Sequence, residues 1–137
     1  MPAKGVVVAV DVGTVRVGVA ASDPHRILAS PVETVAAPGL QRVAEIIAER
    51  SAVLVVVGLP TSLSGRSASA SAVMAREWAS ELSLLVPVPV ELVDERLTTV
   101  TAQQALRSSG KKGAKSRAVI DQAAAVALLQ SVLDRKP

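Results

Sequence analysis

The chain has 137 residues, 50% of them hydrophobic, with one Trp as its only aromatic residue and no cysteine. That length points to a single domain over residues 1–137, with apolar material enough for an aliphatic core, and the absence of cysteine excludes disulfides and thiolate metal sites. The net charge is only +3, no apolar run approaches the ~20 residues that span a membrane, and the opening MPAKG lacks the cleavage region of a signal peptide, so the expected setting is the cytoplasm.

Val6–Ala20 reads VVVAVDVGTVRVGVA. A continuous apolar run reaches Asp11, Gly13 turns the chain, and Arg16–Ala20 alternates. The pattern predicts two paired strands with an acid at the end of the first, the first strand being covered on both faces. Asp11 then sits at the rim of a buried sheet, where a rigid scaffold can present it to a ligand. The alternative is a turn aspartate bonded to its own backbone near Gly13. Ser22–Arg26 is a turn signal, and the lone histidine, His25, is expected to be exposed there. Ile27–Ser30 and Val32–Val35 read as a third, interrupted strand, which Pro31 places near an edge.

Leu40, Val43, Ala44 and Ile47 recur at helical spacing after Pro38-Gly39, predicting a helix. Ala52–Val57 is a second fully apolar strand run, ending in Gly58-Leu59-Pro60, and strand–helix–strand at this spacing predicts a parallel crossover. Thr61–Ser71 reads as a loop entering a helix whose apolar stripe is Ala75, Trp78, Ala79 and Leu82, with Trp78 in the core. Val88–Val93 is the next strand and ends at Asp94-Glu95-Arg96. A helix over about Val100–Ser108, a basic linker over Ser109–Ser116 and a last helix over about Arg117–Leu133 complete the chain. That last helix is apolar nearly all round, which predicts an interior position.

Two features carry chemistry. Arg96, Arg107, Lys111, Lys112, Lys115 and Arg117 form a basic block with no acid between Arg96 and Ile120, which suits an anionic partner such as nucleic acid or, more plainly, a solvated loop. Asp121 interrupts the apolar last helix beside Ala124, Ala125 and Leu128. A carboxylate there needs a metal, a cation or a donor to be buried; the alternative is a solvent-facing acid near a helix start, where the dipole favours it. Asp11, Glu95 or Asp94, and Asp121 thus bring carboxylates from three elements, which meet if the first and last strands are adjacent and parallel. Oxygen-only donors suit Mg²⁺ or Mn²⁺, and two such ions about 4 Å apart can activate water and stabilise a leaving oxygen.

The blocks Asp11–Ala20 (DVGTVRVGVA), Val57–Pro60 (VGLP), Asp94–Thr99 (DERLTT) and Ile120–Gln130 (IDQAAAVALLQ) resemble the YqgF/RuvX family, in the same order and across essentially the whole chain. That family comprises RuvC-like Holliday junction resolvases, also described as pre-16S ribosomal RNA nucleases. The resemblance implies an α/β, RNase H-like fold: a five-stranded mixed sheet with helices on both faces, in agreement with the element order read above. It implies catalytic, metal-binding acids at Asp11, Glu95 and Asp121; Asp94 and Glu95 point to opposite faces of a strand, so one of them enters the site, the family pattern favouring Glu95 and a bend at the strand end leaving Asp94 open. Arg16 and Arg96 become candidates for phosphate contacts, with Arg107, Lys111, Lys112, Lys115 and Arg117 beside them. The implied partners are structured RNA (pre-16S rRNA) or branched DNA, and the implied cofactor is Mg²⁺ or Mn²⁺, two ions in all. A monomer or a homodimer is compatible, a symmetric junction resolvase needing two sites. One departure falls in the loop after Pro60, where relatives commonly carry Asp-Gly and a further Gly and this chain reads Ser64-Gly65-Arg66.

Two other function classes fit parts of the chain. Asp11-Val12-Gly13-Thr14 also resembles the first phosphate loop of actin-like ATPases and sugar kinases, although those enzymes close two such domains around a nucleotide. A nucleic-acid-binding factor without turnover, acting in ribosome maturation or transcription, would keep the same basic block.

Overall fold

The computed structural model describes residues 5–60, 70–94 and 114–135. Five strands and three helices follow in the order β1 (Val7–Val12), β2 (Arg16–Ser22), β3 (Ala29–Ala36), α1 (Leu40–Glu49), β4 (Leu54–Leu59), α2 (Ala70–Ser83), β5 (Val90–Asp94) and α3 (Ala114–Asp134). The strands form one mixed sheet in the order β3-β2-β1-β4-β5. β1, β2 and β3 run antiparallel as a meander, while β4 pairs parallel with β1 and β5 parallel with β4.

The two continuous apolar runs occupy the middle of this sheet because only central strands are covered on both sides. Val8, Val10, Val55 and Val57 point to one face, where they pack with Ile46 and Ile47 of α1 and Trp78, Ala79 and Leu82 of α2. Val7, Ala9, Leu54 and Val56 point to the other, where they pack with Ala125, Leu128 and Leu129 of α3. Trp78 is core, as its stripe predicts, and its indole N–H donates to the Pro38 carbonyl. Gly39 precedes α1 with φ 56°, and a Cβ there would meet the Val35 side chain at 2.6 Å and the Ala36 carbonyl at 2.9 Å. Only glycine makes that corner without strain.

Several boundaries differ from the sequence reading. Ile27 and Leu28 belong to no strand: the Asp23 carboxylate accepts the amides of His25, Ile27 and Leu28, which folds the segment into a loop and leaves both apolar side chains exposed. Those bonds, with Leu28 foremost, hold the Asp23 carboxyl below its usual range. β3 starts at Ala29 instead and is an edge strand, as Pro31 requires; the ladder with β2 is irregular at Val19/Ala20, and Ala20 pairs with Pro31. β4 begins at Leu54 because the Ala52 amide still donates to Ile47 of α1. Ala70 and Ser71 already belong to α2, and β5 begins at Val90 rather than Val88. α3 begins at Ala114, inside the expected linker. It covers one face of the sheet rather than running through the interior, and Ile120 is more than a third exposed. The predicted helix over 100–108 and the loop over 61–69 lie outside the described residues.

Candidate active site

Asp11 is the fifth residue of β1 and is half-buried. Its position follows from strand alternation: Val7 and Ala9 face α3, so Asp11 also does. The turn that follows is closed by its own backbone. The Gly13 amide donates to the Arg16 carbonyl at 2.9 Å, and a Cβ on Gly13 would come within 2.6 Å of that carbonyl. The Gly13 amide is thus given to the Arg16 carbonyl.

The register places Asp11 in a row that crosses the whole sheet. On β2 its partner is Gly18, and Gly18 pairs in turn with Thr34 of β3. On the other side, one step beyond the pair Val10–Val57, Asp11 comes level with Gly58 of β4, and Gly58 pairs with Val93 of β5. The row therefore reads Thr34, Gly18, Asp11, Gly58, Val93. A glycine stands on each side of the acid, so neither in-register neighbour in the sheet places a side chain beside the carboxylate. Gly18 and Gly58 escaped the sequence reading as site residues. A glycine inside a strand pattern is the signal that could have found them, since it marks a place where something approaches closely.

β1 and β5 are parallel but not adjacent. β4 lies between them, which sets the ends of β1 and β5 about 9.5 Å apart at two strand spacings. The adjacency the sequence reading required is thus corrected, and β4 contributes only a glycine at the intervening position. Asp94 ends β5 in register with Leu59. Val93 belongs to the α3-side cluster and Val90 to the α1–α2 side, so Asp94 shares the face of Val90, opposite to Asp11. Arg16 is half-buried and begins β2 two residues before Gly18, which puts it on the α3 face with Asp11.

α3 reaches this row through Gln122, whose side-chain amide donates to the Thr34 hydroxyl at 2.9 Å. Asp121 is the preceding residue and stands seven residues beyond the start of α3. A helix dipole acts within the first turn, so an acid at this depth is not explained by the helix start. The backbone of α3 is described at Lys115, Arg117 and Asp121, and their side chains are not. Glu95, Arg96, Arg107, Lys111 and Lys112 lie outside the described residues. Among the described residues no three His, Asp or Glu side chains come together as a metal-binding group, and no helix is long and apolar enough to cross a membrane.

Behind the β1–β2 turn, on the α2 side, a cavity of about 210 Å³ is lined by Val12, Gly13, Thr14, Ala37, Pro38, Met74 and Trp78. Among the described residues its lining is mostly apolar, with Thr14 its polar side chain, and carries no charge.

The chain matches a family model described as RuvX, Holliday junction resolvase, over residues 5–135. The chain belongs to the RuvX family. Relatives agree: a protein of Mycolicibacterium paratuberculosis named "Putative pre-16S rRNA nuclease" is 51% identical over 98% of this chain and 83% of its own length. A Mycobacterium ulcerans protein of the same name is 54% identical over 93% of this chain and 77% of its own. Among solved structures, T. thermophilus RuvC in complex with Holliday junction substrate superposes with a TM-score of 0.60 at 14% identity, covering 94% of this chain and 93% of RuvC. That likeness shows the RNase H-like fold for this RuvX member, as the five-stranded mixed sheet does.

Proposed function

We propose that this RuvX-family chain is a metal-dependent endonuclease hydrolysing phosphodiesters of structured RNA, with the precursor of 16S ribosomal RNA as substrate. The observation that carries it is Asp11, set between two glycines on the α3 face of parallel β1 and β4. The name shared by relatives that are about half identical over nearly the whole chain supports the RNA substrate, and a cytoplasmic setting goes with it. The match over residues 5–135 supports a single nuclease domain.

Asp11 is one of three proposed acids. Asp94 stands on the wrong face, so within the Asp94–Glu95 pair strand alternation favours Glu95. Helical spacing puts position 121 on the stripe of Ala125 and Leu128, which are buried against the sheet. Carboxylate oxygens without His or Cys suit Mg²⁺ or Mn²⁺, and the glycine-flanked setting of Asp11 fits an ion at that carboxylate. Bound there, such ions supply Lewis acidity that lowers the pKa of water and offsets charge on the leaving oxygen.

The chain's own residues do the rest. Gly18 and Gly58 leave lateral room for a phosphodiester beside Asp11. Arg16, on the same face, holds a phosphate oxygen, and Arg96, Arg107, Lys111, Lys112, Lys115 and Arg117 extend that cationic contact along the backbone. With a single tryptophan, itself buried and bonded to Pro38, base stacking is not the binding mode. Recognition runs through phosphates and shape and is steeply salt-dependent. The actin-like alternative needs two such domains closing around a nucleotide, and the match over residues 5–135 supports one.

The test is cleavage of a 16S precursor RNA and of a four-way DNA junction, side by side, in Mg²⁺, Mn²⁺ or EDTA. Metal-dependent cutting of the RNA, lost in Asp11→Asn, is expected. Cutting of the junction alone transfers the substrate to branched DNA, the activity in the family's description. Salt-sensitive binding with no cutting of either replaces the nuclease with a binding factor.

A further inference from the structure

α3 meets the sheet through alanines and leucines: Ala125, Leu128 and Leu129 pack on Val7, Ala9, Ala20, Leu54 and Val56. Such a seam is stabilising but non-directional. A slip of one residue moves a helix by about 1.5 Å and turns it by about 100°, whereas a working site tolerates about 0.5 Å and 10–20°. Something directional has to fix the helix, and among the described residues two glutamines do so. Near its C-terminal end the Gln130 side-chain oxygen Oε1 accepts the Ala29 amide at 2.9 Å, and its NH₂ group donates to the Ile27 carbonyl at 3.1 Å. About 12 Å earlier along the helix, Gln122 donates to Thr34 at 2.9 Å. Both tethers end on or beside β3, so α3 is pinned along the edge strand that runs against it.

The two tethers differ in what stands beside them. Gln130 holds the β2–β3 loop, far from Asp11. Thr34 lies in the Asp11 row, two strand positions away across Gly18, and Gln122 follows Asp121 directly in sequence. We infer that Gln122 and Thr34 are a positioning pair that fixes Asp121 relative to Asp11 and so sets how tightly the two acids share a divalent cation. The inference rests on the nuclease reading of the Asp11 row, and it concerns residues that touch neither substrate nor metal.

The experiment measures Mn²⁺ binding by electron paramagnetic resonance, without nucleic acid, alongside cleavage and melting temperature. The variants are Thr34→Val, Gln122→Leu, Thr34→Ser and Gln130→Leu, with Asp11→Asn as the reference for loss of the site. The expected result is Mn²⁺ affinity about tenfold weaker in Thr34→Val and in Gln122→Leu, the size that outer supports of metal ligands show. Cleavage should need correspondingly more metal, with KM for the nucleic acid unchanged. Thr34→Ser keeps the hydroxyl and should restore both. Gln130→Leu should lower the melting temperature at least as far and leave Mn²⁺ affinity at the wild-type value. Wild-type Mn²⁺ binding in both Thr34→Val and Gln122→Leu overturns the inference, as does a Thr34→Ser variant no better than Thr34→Val. If Asp11→Asn binds Mn²⁺ as well as wild type does, the nuclease reading has failed first and the positioning role goes with it.

Discussion

Val57 and Gly58 are neighbours on β4 but face opposite sides of the sheet and meet opposite packing. The Val57 side is filled with branched aliphatics and Trp78 under two helices. The Gly58 side mixes Val7, Leu54 and Val56 with Ala9, Ala20 and Gly18 under α3 and holds Asp11 where the small residues lie. Large side chains on one face supply burial, at about 1.5–3 kcal/mol for each fully buried Val or Leu. Small ones on the other let a helix come close while leaving an acid uncrowded. Both sets of alternate residues on β4 therefore supply burial, and the set facing α3 ends in the glycine level with Asp11, the proposed acid.

Paired truncations give the largest test of that division. Leu82 and Leu128 are each at most 1% exposed, one under each face, so Leu82→Ala and Leu128→Ala should each cost about 2–5 kcal/mol in denaturant unfolding. They should part in activity measured where both variants remain folded. Leu82→Ala cuts at the wild-type rate, whereas Leu128→Ala, which loosens α3, cuts more slowly. Equal activity in the two would remove the distinction between the faces.

Adding one carbon on each side is a finer probe. Val57→Ile overfills a packed face and should lose about 1–3 kcal/mol of stability with cleavage per folded molecule intact. Gly58→Ala puts a methyl beside Asp11 in the gap towards the end of β5. Cleavage should fall at least about tenfold with little change in substrate affinity, as expected when only the geometry of the reacting groups is disturbed. A fully active Gly58→Ala would mean that the row leaves more room than the register implies.

How far the sequence discloses this arrangement depends on how local each determinant is. The central strands were legible because the runs Val6–Val10 and Ala52–Val57 are short, valine-rich and followed by turn residues, and α1 because its stripe is strictly periodic. Ile27 and Leu28 misled because their amides answer to the Asp23 carboxylate, which overrides their β-propensity. The order of β1, β4 and β5 was not legible at all: pairing is settled by packing across the whole chain, and the insertion of β4 between the acid-bearing strands turns Gly58 from a strand-end glycine into part of the site. The Gln122–Thr34 bond spans 88 residues, and no local pattern announces it. The proposed acids came from their motif alone, and the structure adds that Asp11 and Asp94 stand on opposite faces of the sheet.

The smallest expected effect concerns how the Val57 face is tied at its edge. Arg42 of α1 donates two bonds to the Glu33 carboxylate on β3, at 2.8 and 2.9 Å, and reaches Glu45 and Glu49 on its own helix. The hydrogen bonds from Arg42 hold the Glu33 carboxyl below its ordinary 4.5. A depressed carboxyl stabilises the fold above its unfolded pKa, and that contribution is lost as pH falls through the folded value. Stability should therefore decline slightly as pH drops below 4.5, by an amount that shrinks in high salt because the pair is partly exposed. Arg42→Met removes the partner and keeps much of the stem, so the Glu33 carboxyl followed by NMR should rise towards its ordinary value and this part of the acid sensitivity should flatten. Mn²⁺ binding and cleavage should not change, because the network stands on the face away from Asp11. A loss of metal affinity in Arg42→Met would show that the two faces are coupled through the sheet after all.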